Sequence, residues 1–100
     1  MKLTFNIKVY HGTEYSNIRG ICENGFKKSS ISCATQNKNW AKGYGNSLIS
    51  FKYPFELYFS FKTIEEDLEY LKRFIIDYLN KSLPVGVAGF KPKNLKINNK

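Results

Sequence analysis

The stretch Leu3-Thr4-Phe5-Asn6-Ile7-Lys8-Val9-Tyr10-His11-Gly12-Thr13 decides how the chain is read. Leu3, Phe5, Ile7 and Val9 alternate with Lys2, Thr4, Asn6 and Lys8, the period-two pattern of a strand with one buried face. His11-Gly12-Thr13 closes the strand, and the period then changes. Ser16 is placed to cap a short helix carrying Ile18, Ile21 and Cys22 on one face, and Asn24-Gly25 stops it in left-handed geometry. Phe26 packs back against that helix. Residues 30–35 read as a short strand. Residues 37–44 read as a short helix with Trp40, Ala41 and Tyr44 on one side and Trp40 in the core. Gly45-Asn46 is a turn.

Farther along, residues 48–53 and 55–61 are β-rich runs separated by Pro54, which suggests an edge or a bend. The spacing predicts a helix over 63–81, with Thr63 and Glu66 as a capping box and Ile64, Leu68, Leu71, Ile75, Tyr78 and Leu79 as one apolar stripe. Residues 85–91 read as a last strand. Residues 1–92 then make one domain, and 93–100 a basic C-terminal tail. Strands mixed with short helices in this order argue for the α+β class: a small mixed, mainly antiparallel sheet with short helices and one long helix in the C-terminal half.

The chain has 100 residues, 42% of them hydrophobic and 16% aromatic, which suffices for one core without covalent staples. No apolar run approaches the roughly 18–20 residues that span a bilayer. The N-terminus alternates too much for the core of a signal peptide. A cytoplasmic protein with no membrane partner is expected. Cys22 and Cys33 are expected as reduced, half-buried thiols, and with a single histidine they form no metal motif. A net charge of +8 favours polyanions, either nucleic acid or an acidic protein surface. All but Arg19 and Arg73 of the basic residues are Lys, spread over the whole length. A Lys- and Asn-biased coding composition would produce the same pattern, and specific phosphate recognition more often enlists Arg.

Tyr10-His11-Gly12-Thr13 is followed in order by Ile18, Gly25-Phe26, Ser32-Cys33-Ala34-Thr35, Ala41 and Tyr44-Gly45. A strand ending in His-Gly-Thr, a helix ending in Gly-Phe, a small-residue strand and a helix ending in Tyr-Gly resemble the ADP-ribosyltransferase superfamily, the PARP and diphtheria-toxin-like group. The branch with a His-Tyr-Glu triad is the most similar. Phe90-Lys91-Pro92-Lys93-Asn94-Leu95-Lys96-Ile97 is also similar to the stretch after that family's last catalytic strand.

The resemblance implies NAD as ligand. His11 would hydrogen-bond a ribose hydroxyl, and the bare backbone of Gly12 would lie against the nicotinamide amide. Thr13 would adjoin them, Tyr44 would stack on the nicotinamide ring, and Ser32 would line the floor where the triad tyrosine normally stands. The plainer alternatives are a strand-end His that caps a loop and a Tyr44 that belongs to the core.

The family's glutamate, which polarises the nucleophile and steadies the oxocarbenium-like ribose, would begin the last strand. Alignment through Pro92 and Leu95 puts Gly86 there, and no Asp or Glu follows Asp77. A positioned general base contributes about 10²–10⁴ in rate, so no catalytic residue is assigned. Glu14 is the nearest substitute by proximity.

Two functions are expected from different classes. One is an NAD-dependent mono-ADP-ribosyltransferase acting on a macromolecular acceptor, its enzymatic activity left open. The other is a non-catalytic basic inhibitor or regulator of the phage or mobile-element type, binding a nucleoprotein, a nucleic acid or an acidic protein partner.

Overall fold

The computed structural model of the chain describes residues 2–58, 69–70, 72–73, 76–77 and 84–98. Its elements are β1 (Lys2–Thr13), α1 (Tyr15–Asn24), β2 (Cys33–Ala34), α2 (Lys38–Ala41), β3 (Ser47–Tyr58), β4 (Val85–Gly86) and β5 (Lys96–Asn98). β1 and β3 pair antiparallel without a bulge, from Lys2 opposite Tyr58 to Thr13 opposite Ser47. β5 extends this sheet beyond β3, and β2 pairs antiparallel with β4. A bridge between Tyr10 and Thr35, with N–H to O=C bonds of 2.7 and 2.9 Å, links the two sheets.

That bridge fixes the direction of every backbone group along β1. Tyr10 gives both its N–H and its C=O to Thr35, so the even-numbered residues of β1 turn these groups away from β3. Odd-numbered residues turn theirs toward it. Pro54, opposite the even-numbered Asn6, therefore directs its substituted nitrogen to the outer side of β3, where β5 covers only Leu48–Ser50. A proline is harmless there because no ladder bond is lost. The expected edge is present; the expected break is not, and one strand runs through Pro54 to Tyr58. Positions 59–61 of the second run lie outside the described residues.

Side-chain alternation builds the larger core cluster on the odd-numbered face, while Leu48 and Ser50 on the even-numbered face of β3 are buried as well. Ile7 and Val9 pack with Ile49 and Phe51 of β3, Ile18 and Ile21 of α1, and Phe26, Val85 and Val87. Rings continue this core as a chain: His11 meets Phe26 edge-on at 4.9 Å, Phe26 lies 5.6 Å from Phe51, and Phe51 lies 5.9 Å from Phe90. Phe90 in turn meets Tyr53 at 4.9 Å, and the Tyr53 hydroxyl donates to the Gly86 carbonyl. Burying each such side chain contributes roughly 1.5–3 kcal/mol.

The local capping differs from expectation. α1 starts two residues earlier than a Ser16 cap requires: Glu14 is its N-cap and makes no side-chain cap bond. The Tyr15 N–H is satisfied instead by Asn46 Oδ1 at 2.7 Å, a partner far away in sequence. Ile18 and Ile21 are buried as the pattern requires, but Cys22 and Cys33 are both exposed free thiols rather than half-buried ones. Gly25 ends the helix at φ 77°, its N–H bonded to the Ile21 carbonyl, a conformation that a Cβ disfavours. α2 is a single turn, Lys38–Ala41, capped by Asn37 Oδ1 on the Trp40 N–H at 3.1 Å. Trp40 is not core: it is 46% exposed.

The later strands are short. β2 and β4 each have 2 residues where longer runs were expected, because their pairing lasts only from Cys33 opposite Gly86 to Ala34 opposite Val85. Part of the expected basic tail joins the sheet. Lys96–Asn98 pair with β3, Asn98 Nδ2 donates to Ser50 Oγ at 2.8 Å, and Leu95 packs against the core. The stripe and capping box of the helix expected over 63–81 lie outside the described residues. Six described positions within it, Glu69, Tyr70, Lys72, Arg73, Ile76 and Asp77, are helical and exposed. Among the described residues, no helix is long and apolar enough to cross a membrane.

Candidate functional site

The site is centred on the end of β1, where the strand outruns its neighbour. Among the described residues this edge of β1 is bridged only at Tyr10–Thr35, next to β2, and beyond that bridge it borders a cavity. By the alternation set at Tyr10, the N–H and C=O of Gly12 point to that free side. Neither group has a hydrogen-bond partner among the described residues. They border a cavity of about 310 Å³ lined chiefly by Tyr10, His11, Gly12, Trp40, Ala41 and Tyr44, with β2 and Pro84 closing it.

Gly12 is required for a reason other than the one its place in the motif suggests. A Cβ at Gly12 would overlap the carbonyl oxygens of Ala41 and Tyr44. The missing side chain thus lets the end of α2 seat on the strand, while the backbone edge of Gly12 borders the cavity. Trp40 on α2 and Tyr44 in the turn that follows it both line this cavity, and both are exposed. Trp40 was missed by sequence reasoning. No helix-face signal marks it, because α2 ends at Ala41 and does not carry the Trp40 face on to Tyr44.

His11 forms the wall between this cavity and a second one. Its Nδ1 lies 2.8 Å from the Cys33 carbonyl oxygen. A carbonyl only accepts, so Nδ1 carries a proton and Nε2 is the ring atom left for a ligand. Phe26 holds the ring edge-on from the core side. The loop-capping role and the ligand role expected of His11 are therefore compatible, because one nitrogen serves each. The contact with Cys33 is through the main chain, so it gives no thiol–imidazole pair.

The second cavity, about 440 Å³, is lined by His11 together with Thr13, Ser16, Asn17, Lys27, Ser30 and Ser32 among others. Thr13 is buried, and its hydroxyl oxygen accepts from Asn17 Nδ2 at 3.2 Å. Ser30 Oγ lies 2.7 Å from the Lys27 carbonyl and 2.7 Å from Ser32 Oγ. Because Ser30 has one hydroxyl proton and the carbonyl takes it, Ser32 donates to Ser30 and presents only lone pairs to the cavity. Asn17, Ser30 and Lys27 are further polar groups here that the motif did not mark.

The five residues expected at the site thus fall into two groups that share His11: Gly12 and Tyr44 on one side, Thr13 and Ser32 on the other. No carboxylate lines either cavity among the described residues, and no group of His, Cys, Asp and Glu there could hold a metal ion. Glu14 is exposed and serves as the α1 N-cap. Gly86 lies on β4 opposite Cys33, and a Cβ built there meets no atom within 4 Å.

Fold and site together define a small α+β domain with antiparallel sheets, carrying paired cavities at the end of its first strand. The chain matches no protein-family model, no curated protein and no solved structure.

Proposed function

We propose that the chain is an ADP-ribosyltransferase-like domain that binds NAD across His11. One observation carries the reading: the unpartnered N–H and C=O of Gly12 face a ring-lined cavity, while a separate polar cavity shares its histidine wall. An amide-bearing flat ring needs one acceptor and one donor in a plane, with aromatic surface above it. The Gly12 backbone edge offers the first, and Tyr44 and Trp40 offer the second. The sugar and phosphate portion needs hydroxyl and amide partners and a cation, as supplied by Ser32, Asn17 and Lys27. His11 Nε2 then accepts from a ribose hydroxyl between the two.

The reaction class that fits is transfer of one ADP-ribose to a macromolecule. The bond between nicotinamide nitrogen and ribose C1 breaks, nicotinamide leaves with the bonding pair, and the acceptor's nucleophile bonds to C1. With no carboxylate at either cavity among the described residues, the acceptor supplies its own negative charge or base.

That same feature favours a second reading, a non-catalytic binder on this scaffold. Thermal melting separates the readings from a site that binds no nucleotide. NAD and ADP-ribose should raise the melting temperature, and His11→Ala should abolish the effect. Labelled-NAD transfer in lysate then separates enzyme from binder. If the Gly86 position is the one the glutamate has vacated, Gly86→Glu should fold normally and raise transfer from a low or undetectable level by about 10². A flat NAD melting curve in the native protein would sink both nucleotide readings.

A further inference from the structure

The β1–β3 register sets Lys8 directly opposite Lys52. Even-numbered positions of β1 form the non-hydrogen-bonded pairs, in which opposite side chains come closest. Like charges so placed destabilise a sheet, and both lysines are exposed. Lys96 lies opposite Ser50, hence on the same face and one row along. Tyr10 is in that row, with Lys8 Nζ 5.5 Å from its ring centroid. The one carboxylate on these three strands among the described residues, Glu56, is met by Lys2 at 3.6 Å.

The end of α2 lies on this same side, because the Cα of Gly12 faces the carbonyls of Ala41 and Tyr44 there. Trp40 and Tyr44 are 46% and 57% exposed at that end. Between Glu23 and Glu56 the chain has no acidic residue. Lysines in two adjacent rows of the sheet face whose far end carries exposed rings, with Glu56 met by Lys2, match a strand of phosphates whose unpaired bases need flat partners. An acidic peptide would answer the lysines but make no use of the ring faces.

We propose that this face binds single-stranded nucleic acid, with Lys8, Lys52 and Lys96 along the phosphates and Trp40 and Tyr44 under the bases. The inference stands whether or not NAD binds. Trp40 is the only tryptophan, so its fluorescence reports on the contact directly. The probe is a labelled oligothymidylate of about 15 nucleotides, near the upper site size of small single-strand binders.

Binding should quench Trp40 and weaken steeply with salt. The triple variant Lys8→Gln, Lys52→Gln, Lys96→Gln should lose at least about tenfold in affinity, and its salt slope should fall by about 2, at roughly 0.7 per phosphate contact. A charge-matched control, Arg19→Gln, Lys28→Gln, Lys91→Gln, alters the side of the sheet that carries α1 and should keep the native slope. His11→Ala should also keep the oligonucleotide response, so failure of the NAD reading and failure of this one are told apart. Lys8→Gln alone should not lower the melting temperature, because it relieves a like-charge pair. The proposal is overturned if both triple variants weaken equally, or if heparin or polyglutamate changes Trp40 emission as much as the oligonucleotide does. Absence of oligonucleotide binding overturns it as well.

Discussion

The two cavities beside His11 are similar in scale but made of different material. The first is chiefly backbone, rings and small or apolar side chains: a bare strand edge at Gly12 together with Trp40 and Tyr44, with no Asp, Glu, Lys or Arg among its lining residues. The second is side-chain oxygens and amides, with Lys27 as its charged group. The difference teaches where selectivity resides. A backbone edge reads the shape of an amide and tolerates no substitution that disturbs the strand. A hydroxyl-lined hollow spreads recognition over several groups, each worth about 0.5–1.5 kcal/mol. Damage to the first cavity should therefore be severe and local, and damage to the second mild and graded.

The largest expected effect is Gly12→Ala. Its methyl has to displace the end of α2, and overpacking of this kind costs up to about 3 kcal/mol. Urea denaturation should show that loss together with loss of nicotinamide binding. A fully stable Gly12→Ala protein would break the contrast between the cavities, since the first would then not depend on the bare strand.

His11→Ala comes next, because it removes the wall that both cavities share. In the native protein, NAD at 100 times its dissociation constant should stabilise by about 2.7 kcal/mol, and that gain should vanish in the variant. Tyr44→Ala should then cost nicotinamide about 1–3 kcal/mol of stacking while leaving ADP-ribose affinity unchanged by titration calorimetry. The smallest effect is Ser32→Ala, about 1 kcal/mol or less, and it should fall on ADP-ribose alone. Equal losses for both ligands in either variant would merge the two cavities into one site.

Much of this was legible in the chain because local patterns fixed it. The alternation through Ile7 and Val9 gave the buried face of β1, and Asn24-Gly25 gave the end of α1. His11, Gly12 and Tyr44 are grouped in advance only by the resemblance to a family motif, and all three line the first cavity.

What was not legible came from long-range pairing. No local signal shows that Asn46 caps α1, that Lys96–Asn98 complete the sheet, or that the Tyr10–Thr35 bridge turns the Gly12 backbone outward. Trp40 was misread as core because an aromatic at helical spacing usually is core. It lies instead on a helix of a single turn and is 46% exposed. The division of the site into two cavities depends on which way each residue faces around His11, and sequence order does not encode that.

The most direct test is an amide-resolved NMR titration of the uniformly ¹⁵N-labelled protein, first with nicotinamide and then with ADP-ribose. Nicotinamide should shift the Gly12 amide strongly and leave Ser32 and Asn17 unmoved; ADP-ribose should do the reverse, and His11 should respond to both. Binding of either compound with the Gly12 amide unmoved throughout, or shifts confined to residues away from β1, would contradict a dinucleotide held across that imidazole.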